Sequence, residues 1–170
     1  MILVVARHEE NIDWLERVAG WVPLVVQKGR DLPNEGREGS SFLWAMERLY
    51  DETGRVAFVQ GNPFPHAPRL VEQLQEAREG SGFSWLGDPV FVSEADGSPW
   101  HEGLPVRDKQ REWFGTEWDG PVVFAAGGQF VIDAEQLRSR PRDFYGRLAG
   151  EMSHGENPWV MERLWERLFR

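Results

Sequence analysis

The chain begins with a short, unbroken run of apolar residues, Ile2 to Ala6, rich in β-branched side chains. A strand that is apolar at every position is buried on both faces, which is typical of a central strand in a parallel sheet. The run ends abruptly at the polar cluster Arg7-His8-Glu9-Glu10. It therefore predicts a buried strand with polar groups at its carboxyl end, where ligands bind in sheets of this kind.

Helices and strands alternate along the following sequence. Val22 to Gln27 predicts a second strand, with Pro23 at its first position or at a sheet edge because proline has no amide hydrogen. The amphipathic run Glu38 to Asp51 predicts a helix, and Val56 to Val59 predicts a third strand. Such alternation indicates an α/β fold. We predict a single compact domain over residues 1–170, with a mostly parallel central sheet flanked by helices.

The C-terminal half is less regular. Residues 80–120 show weak periodicity and predict a long irregular excursion. Val122 to Ala126 and Phe130 to Ile132 flank a glycine pair, which predicts a strand, a tight turn and a strand. Three helices are predicted from capping or first-turn residues, at Asp133, Pro141 and Asn157. Four tryptophans of the excursion either line a sugar site or pack a core: Trp85, Trp100, Trp113 and Trp118.

Composition excludes several classes of protein. The formal net charge of −9 argues against nucleic acid or an anionic membrane surface as the main partner, because both need a basic surface. No apolar run approaches the ~20 residues of a membrane span. The chain has no cysteine, which excludes disulfides and thiol chemistry and fits a cytoplasmic location. A small anion held by a few local arginines stays compatible with this composition.

The loop after the first predicted strand contains the first candidate ligand-binding residues, Arg7 and Glu9. A guanidinium group can hold a phosphate, and a carboxylate can accept hydrogen bonds from a ribose or a base. A solvated charged loop would show the same residues, and their position alone does not separate the two interpretations.

The loop before the first long helix contains Asn34, Gly36, Arg37 and Glu38. Gly36 permits a backbone conformation that is closed to other residues. Arg37 falls at the predicted helix start, where exposed amides and the helix dipole favour an anion. An ordinary helix start, with Glu38 favourable to the dipole, is the alternative explanation.

The loop after the third strand contains Gln60, Asn62 and His66. Amide side chains at this place can bind a base or a sugar, although a rigid turn bracketed by prolines explains them as well. His66 has no second ligand at a standard metal-binding spacing, so no metal ligand is predicted. Glu162, on the last helix, is either a surface charge or a carboxylate that faces the pocket.

Several short motifs follow one another along nearly the whole chain: Val4-Val5-Ala6-Arg7 with Glu9 and Trp14, Pro33-Asn34, Gly36-Arg37-Glu38, Phe58-Val59-Gln60-Gly61 with Pro63-Phe64, Gln129-Phe130, Pro141, Phe144-Tyr145, and Glu162-Arg163-Leu164-Trp165 with Phe169. In this order they resemble the family called domain of unknown function 3431. Each motif is short, but the ordered set is fairly specific, and the match is weak only over about residues 80–120.

A looser similarity in layout links the chain to small glycosyltransferase-like families of the nucleotide-sugar type, called GT-A. This similarity implies a GT-A-like fold, a nucleotide-diphosphate-sugar pocket at the ends of the first strands, and an acceptor side built by the C-terminal half. It places Gln129 among the ligand-binding residues. Such transferases usually hold a divalent metal through an Asp-x-Asp pair, but the matching place here is Gln60-Gly61-Asn62. Either the protein is metal-independent and uses Arg7 and Arg37, or transferase activity is absent.

These observations lead to one leading hypothesis and two alternatives. The leading hypothesis is a glycosyltransferase-like protein that binds a nucleotide-sugar or a sugar phosphate, with Glu38 or Glu162 as the catalytic carboxylate. The first alternative is a non-catalytic ligand-binding or interaction module on the same fold. The second alternative is a hydrolase that uses Glu38 and His66.

Overall fold

The computed structural model describes residues 1–118 and 120–170, and its centre is a mixed sheet of five strands. The strands of this sheet are β1 (Ile2–Arg7), β2 (Val22–Gln27), β3 (Arg55–Gln60), β4 (Ser84–Trp85) and β7 (Phe130–Asp133), in the spatial order β2-β1-β3-β7-β4. A separate two-stranded ribbon consists of β5 (Val90–Ser93) and β6 (Val122–Ala125).

Helices pack against the sheet. The α-helices are α1 (Arg37–Arg48), α2 (Leu70–Ala77), α3 (Val106–Phe114), α4 (Arg142–Glu151) and α5 (Asn157–Leu168). Shorter 3₁₀ segments span Asp13–Arg17, Ala126–Gly128 and Ala134–Ser139. In the part of the chain that the structure describes, none of the helices combines the length and the apolar character needed to cross a bilayer.

The sheet has a parallel half and an antiparallel half. β1 pairs in parallel with both β2 and β3, so that Ile2 lies opposite Val22 and Val56. β7 runs antiparallel to β3, with Ile132 opposite Val56, and β4 runs antiparallel to β7. The three predicted N-terminal strands are confirmed, and Pro23 lies on an edge strand as predicted. The sheet is nevertheless mixed rather than mostly parallel.

Two apolar layers cover the two faces of the sheet. On one face, Phe58 and Phe130 stack with ring centroids 5.0 Å apart, and Trp165 of α5 lies 5.2 Å from Phe130. On the opposite face, Leu3 and Val5 of β1 belong to a second cluster that α2 and the first 3₁₀ segment cover. Burial of β1 on both faces explains why every residue from Leu3 to Ala6 is apolar.

The predicted hairpin around Gly127 is wrong. β6 pairs with β5 in the ribbon, whereas β7 joins the central sheet between β3 and β4. The reason is burial: Phe130, Val131 and Ile132 are all fully buried, which requires a strand covered on both faces. β6 instead leaves Val123 exposed, as expected for a ribbon with one solvated face.

The predicted irregular excursion contains one helix that the sequence did not reveal. α3 is mostly charged and buries only Val106, Gln110 and Phe114, so its apolar periodicity is weak. Two of the tryptophans in question, Trp85 and Trp113, pack against the main core. Of the two roles considered for these tryptophans, Trp85 and Trp113 therefore have the structural one, in the packing of the core.

An ion pair between the buried Arg55 and the half-buried Asp133 connects several elements of the sheet. The Arg55 Nη1 atom of β3 lies 2.8 Å from the Asp133 Oδ1 atom of β7. Arg55 also donates hydrogen bonds to the carbonyl oxygens of Ala77 and Gly82, at 3.1 and 2.7 Å. The other carboxylate oxygen of Asp133 accepts the Gly82 amide hydrogen at 2.6 Å. This cluster joins β3 and β7 to the end of α2 and the approach to β4.

We expect Asp133→Ala to lower the free energy of unfolding by about 3 kcal/mol, because it leaves the Arg55 guanidinium buried without its carboxylate. Urea unfolding monitored by tryptophan fluorescence measures the change. Asp143→Ala is the matched control, since Asp143 pairs with Arg147 on the exposed surface of α4. That control costs at most about 0.5 kcal/mol. Equal losses in the two variants would contradict the structural role of the Arg55–Asp133 pair.

Candidate functional site

A cavity of about 210 Å³ lies at the carboxyl ends of β1 and β3 and beside the start of α1. We call it the strand-end cavity. Its walls combine cationic, anionic and amide side chains from the loops that follow β1, β2 and β3 and from the first turn of α1. The lining residues are Ala6, Arg7, His8, Glu10, Lys28, Asn34, Arg37, Glu38, Gln60 and Asn62.

The structure brings together most of the residues that the sequence singled out. Those lining the strand-end cavity are Arg7, Asn34, Arg37, Glu38, Gln60 and Asn62. Glu9, His66, Gln129 and Glu162 are not among its lining residues.

Gln129 is fully buried beneath the loop that follows β3. Its side-chain nitrogen donates to the Pro63 carbonyl oxygen at 3.2 Å, and its side-chain oxygen accepts the Gln60 amide hydrogen at 3.3 Å. These two hydrogen bonds hold the backbone of residues 60–63 in place, and this segment contains Gln60 and Asn62. In this structure Gln129 therefore acts on the cavity through the loop rather than as part of its wall.

Arg7 is held in a fixed orientation at the cavity. Its Nε atom donates to the Glu10 carbonyl oxygen at 2.8 Å, and its Nη1 atom donates to the Gln27 Oε1 atom at 2.6 Å. The Trp14 indole donates to the Gly61 carbonyl oxygen at 2.9 Å. The loops that follow β1, β2 and β3 are thus connected, which pre-organises the polar groups before any ligand arrives.

The turn into α1 has an unusual backbone. Gly36 has φ of 69°, and a Cβ atom there would lie 2.8 Å from the Met152 Cβ atom, so the position requires glycine. Arg37 has φ of 48° and is the only non-glycine residue with a positive φ in the described part of the chain. Such a conformation costs about 1–3 kcal/mol, and it is found preferentially at ligand sites.

Lys28 is a site residue that the sequence analysis missed. Its side chain is buried, and its Nζ atom donates to the Glu35 carbonyl oxygen and to the Ser40 hydroxyl oxygen. Burial lowers the pKa of Lys28 to about 8 despite the opposing attraction of Glu38, and the Arg37 charge adds to the lowering. Lys28 follows β2 directly, so the strand-end argument applied to Arg7 would have found it.

His8 and Glu10 also line the cavity, although the sequence analysis chose Glu9 from the same polar cluster. The Glu10 Oε2 atom accepts the His8 amide hydrogen at 2.6 Å, which curls the chain immediately after β1. Glu9 is exposed and does not line the cavity. This turn directs Glu10 rather than Glu9 toward the cavity. The sequence pattern does not specify the turn, so it could not distinguish the two glutamates.

The strand-end cavity is locally cationic in an acidic chain. Arg7, Lys28 and Arg37 outnumber the carboxylates Glu10 and Glu38. Guanidinium and ammonium groups bind phosphate and carboxylate oxygens, so this set suits a small anion. A neighbouring cavity of about 310 Å³ between α1 and α4 is lined by no basic residue and lacks this property.

The cavity residues do not fit a divalent metal site. Residues 1–118 and 120–170 contain no group of three His, Asp or Glu side chains arranged to hold a metal ion. Gln60 and Asn62 supply amide groups to the cavity rather than carboxylates, and hard cations prefer carboxylate oxygens.

A second cavity, of about 290 Å³, lies between the β5–β6 ribbon and α5. We call it the aromatic cavity. One residue of each cavity is in contact with the other: the guanidinium carbon of Arg37, which lines the strand-end cavity, lies 5.3 Å from the centroid of the Trp159 ring, which lines the aromatic cavity. Its lining residues are Phe91, Trp100, His101, Phe124, Ala126, Trp159, Glu162 and Arg163.

Glu162 is a buried carboxylate of the aromatic cavity rather than a surface charge. Its Oε1 atom accepts the Gly127 amide hydrogen at 2.6 Å, and its Oε2 atom accepts from the Arg163 Nη1 atom at 3.0 Å. Burial raises the pKa of Glu162 even though Arg163 and the Gly127 amide oppose the change, and the Glu38 charge raises it further. The two predicted catalytic carboxylates are therefore close enough to influence each other.

Comparison with known proteins adds no assignment. No family model matches the chain, and neither a curated protein nor a solved structure matches it. The resemblance to domain of unknown function 3431 and to GT-A-type proteins stays a prediction.

We expect the Lys28 amine to titrate with a midpoint near pH 8. NMR of the lysine side chains, followed as a function of pH, measures this midpoint, and Lys109 is the other lysine of the chain. Glu38→Gln should move the midpoint down because it removes an attractive charge, and Arg37→Ala should move it up. Movement in the same direction in both variants would contradict the charge arrangement described here.

Glu162→Gln should change the pH dependence of stability, because glutamine keeps an oxygen for the Gly127 amide but has no charge. Since folding raises the pKa of Glu162, the wild type loses stability relative to the variant as pH rises above the ordinary value of 4.5. Urea unfolding of both proteins from about pH 4 to about pH 7 measures the difference. Parallel curves over that range would show that folding does not perturb Glu162.

Proposed function

We propose that this protein binds a nucleotide-sugar or a sugar phosphate in the strand-end cavity and acts as a glycosyltransferase-like protein. The observation that supports the proposal is the convergence of Arg7, Lys28 and Arg37 at the carboxyl ends of β1, β2 and β3. Ligands of open α/β sheets bind at this edge. The chain as a whole has a charge of −9, so the clustering of cations is a local property.

In this proposal the cations bind the phosphates. Arg7 and Arg37 neutralise the diphosphate, and Lys28 adds a charge at the base of the cavity. The start of α1 contributes backbone amide hydrogens and the positive end of the helix dipole. Asn34, Gln60 and Asn62 provide hydrogen bonds that orient the sugar or the base.

Transfer of the glycosyl group would follow from this placement. The acceptor hydroxyl oxygen forms a bond to the anomeric carbon while the bond from that carbon to the diphosphate oxygen breaks. Arg7 and Arg37 stabilise the charge that develops on the leaving diphosphate, and positioning supplies much of the remaining acceleration. The hydroxyl proton passes to a carboxylate, either Glu38 or Glu162.

A second candidate function is ligand binding without catalysis on the same fold. The amide pair Gln60 and Asn62, in place of metal-binding carboxylates, favours it. The hydrolase alternative loses its geometric basis, because His66 does not line the cavity that contains Glu38.

A thermal-shift panel of nucleoside diphosphates, nucleotide-sugars and sugar phosphates, with and without manganese, tests the proposal. We expect one of these ligands to raise the melting temperature of the wild type. The rise should disappear in Arg37→Ala, since the variant loses a guanidinium group from the cavity wall. Transfer and hydrolysis assays with the same nucleotide-sugar then separate a transferase from a binding module.

Arg30→Ala is the matched control for this experiment. Arg30 lies in the loop that follows β2, is mostly exposed and pairs with Asp31 outside the cavity. The ligand-induced rise should therefore persist in Arg30→Ala. Absence of a response to every phosphate ligand in the wild type would refute an anion site, and an equal loss in both arginine variants would show non-specific electrostatics.

A further inference from the structure

The aromatic cavity has a chemistry different from that of the strand-end cavity. Four aromatic rings form most of its wall, those of Phe91, Trp100, Phe124 and Trp159. Trp100 is 56% exposed and lies at the rim, where its indole nitrogen donates to the Val92 carbonyl oxygen at 2.9 Å. An exposed, hydrogen-bonded indole at the rim of a cavity presents a fixed apolar surface to a ligand.

We infer that the aromatic cavity binds a neutral saccharide ring. A saccharide ring has faces of C–H groups, which pack on aromatic rings, and a rim of hydroxyl groups, which need polar partners. The volume of about 290 Å³ lies at the lower limit of small-molecule pockets and suits a ligand of ring size.

The aromatic rings of the cavity pack against one another rather than standing apart as parallel plates. Trp100 meets Phe91 at 68° with centroids 4.8 Å apart, and Phe124 meets Phe91 at 34°. His101 meets Trp159 at 75°. None of these pairs forms a parallel slot of the kind that sandwiches a nucleobase.

The polar groups of the cavity favour a ligand without charge. Glu162 and Arg163 are both buried and neutralise each other through their contact at 3.0 Å. Each retains hydrogen-bonding capacity: the Glu162 carboxylate accepts from hydroxyl groups, and the Arg163 Nε atom has no partner although Arg163 is only 3% exposed. The Arg163 guanidinium carbon also lies 4.5 Å from the centroid of the Phe124 ring, which holds this charge against the wall of the aromatic cavity.

If the proposed glycosyl transfer takes place in the strand-end cavity, the location of the aromatic cavity suggests that the saccharide is the acceptor. Arg37 and Glu38 line the strand-end cavity, and Trp159 and Glu162 line the aromatic cavity. The contact between Arg37 and Trp159 places a ring in the second cavity next to a sugar phosphate in the first. The saccharide would then be the acceptor, with Glu162 beside its hydroxyl groups.

Saturation-transfer NMR on the full chain tests the binding itself, with neutral methyl glycosides of glucose, galactose and mannose and their disaccharides as probes. We expect transfer to the C–H protons of at least one saccharide. Trp100→Ala should weaken its binding by about tenfold, a loss of roughly 1.4 kcal/mol. Trp100→Phe keeps an aromatic surface and should retain most of the affinity.

Trp118→Ala is the matched control, because Trp118 is 41% exposed but lies outside the cavity, under the Arg167 guanidinium. It should leave saccharide binding unchanged. No binding of any saccharide, or equal weakening in the Trp100 and Trp118 variants, would overturn the inference. Binding of free nucleosides that depends on Trp100 would overturn it in favour of a base site.

The same variants separate this inference from the proposed function. Arg7→Ala should weaken the response to nucleoside diphosphates and leave saccharide binding intact, whereas Trp100→Ala should do the reverse. In the wild type, a normal diphosphate response with no binding of any saccharide would refute only the inference. A saccharide signal without any diphosphate response would refute only the anion site.

Discussion

Parallel pairing of β1 with both of its neighbours is the constraint on which the strand-end cavity depends. It brings the carboxyl ends of β1, β2 and β3 to one edge of the sheet, and the chain must leave all three strands at that edge. Arg7, Lys28 and Gln60 are at or next to these three ends. Burial of β1 on both faces fixes the pairing, since a shift in register would move charged residues into the core.

The backbone at the start of α1 completes the site. Gly36 adopts a left-handed conformation that only glycine accepts easily, and its lack of a side chain lets the turn approach Met152, the residue that follows α4. Arg37 follows in the same conformation and reaches Trp159 of α5. One strained turn thus positions a cation between two cavities of different chemistry. One cavity concentrates positive charge, and the other contains a neutralised ion pair among aromatic rings.

Local patterns predicted the elements whose signals are local. The strands β1 to β3, helix α1 and the capped segments after Asp133 and Asn157 follow from apolar runs, periodicity and caps. The β6–β7 hairpin was wrong because a glycine pair looks the same in a tight turn and in a crossover between two sheets. Helix α3 was missed because it buries few apolar side chains.

The residues of the candidate site likewise fall into those that local sequence patterns predict and those that depend on the three-dimensional structure. Arg7, Asn34 and Arg37 are at strand or helix ends, and such ends can be read from sequence. Lys28 could have been found by the same argument, whereas the choice between Glu9 and Glu10 depends on a turn that only coordinates reveal. Glu38 lines the strand-end cavity whereas Glu162 lines the aromatic cavity, and no spacing rule predicts this separation.

The order of the strands also determines whether a further strand can be added at either edge of the central sheet. At one edge lies β2, where Pro23 has no amide hydrogen to offer a further strand. At the other edge lies β4, which is only two residues long. Short edge strands and edge prolines are devices by which natural proteins avoid aggregation through intermolecular strand addition. Both edges of the five-stranded sheet thus disfavour the addition of a further strand, and the strand-end cavity lies across the ends of the strands rather than along either edge.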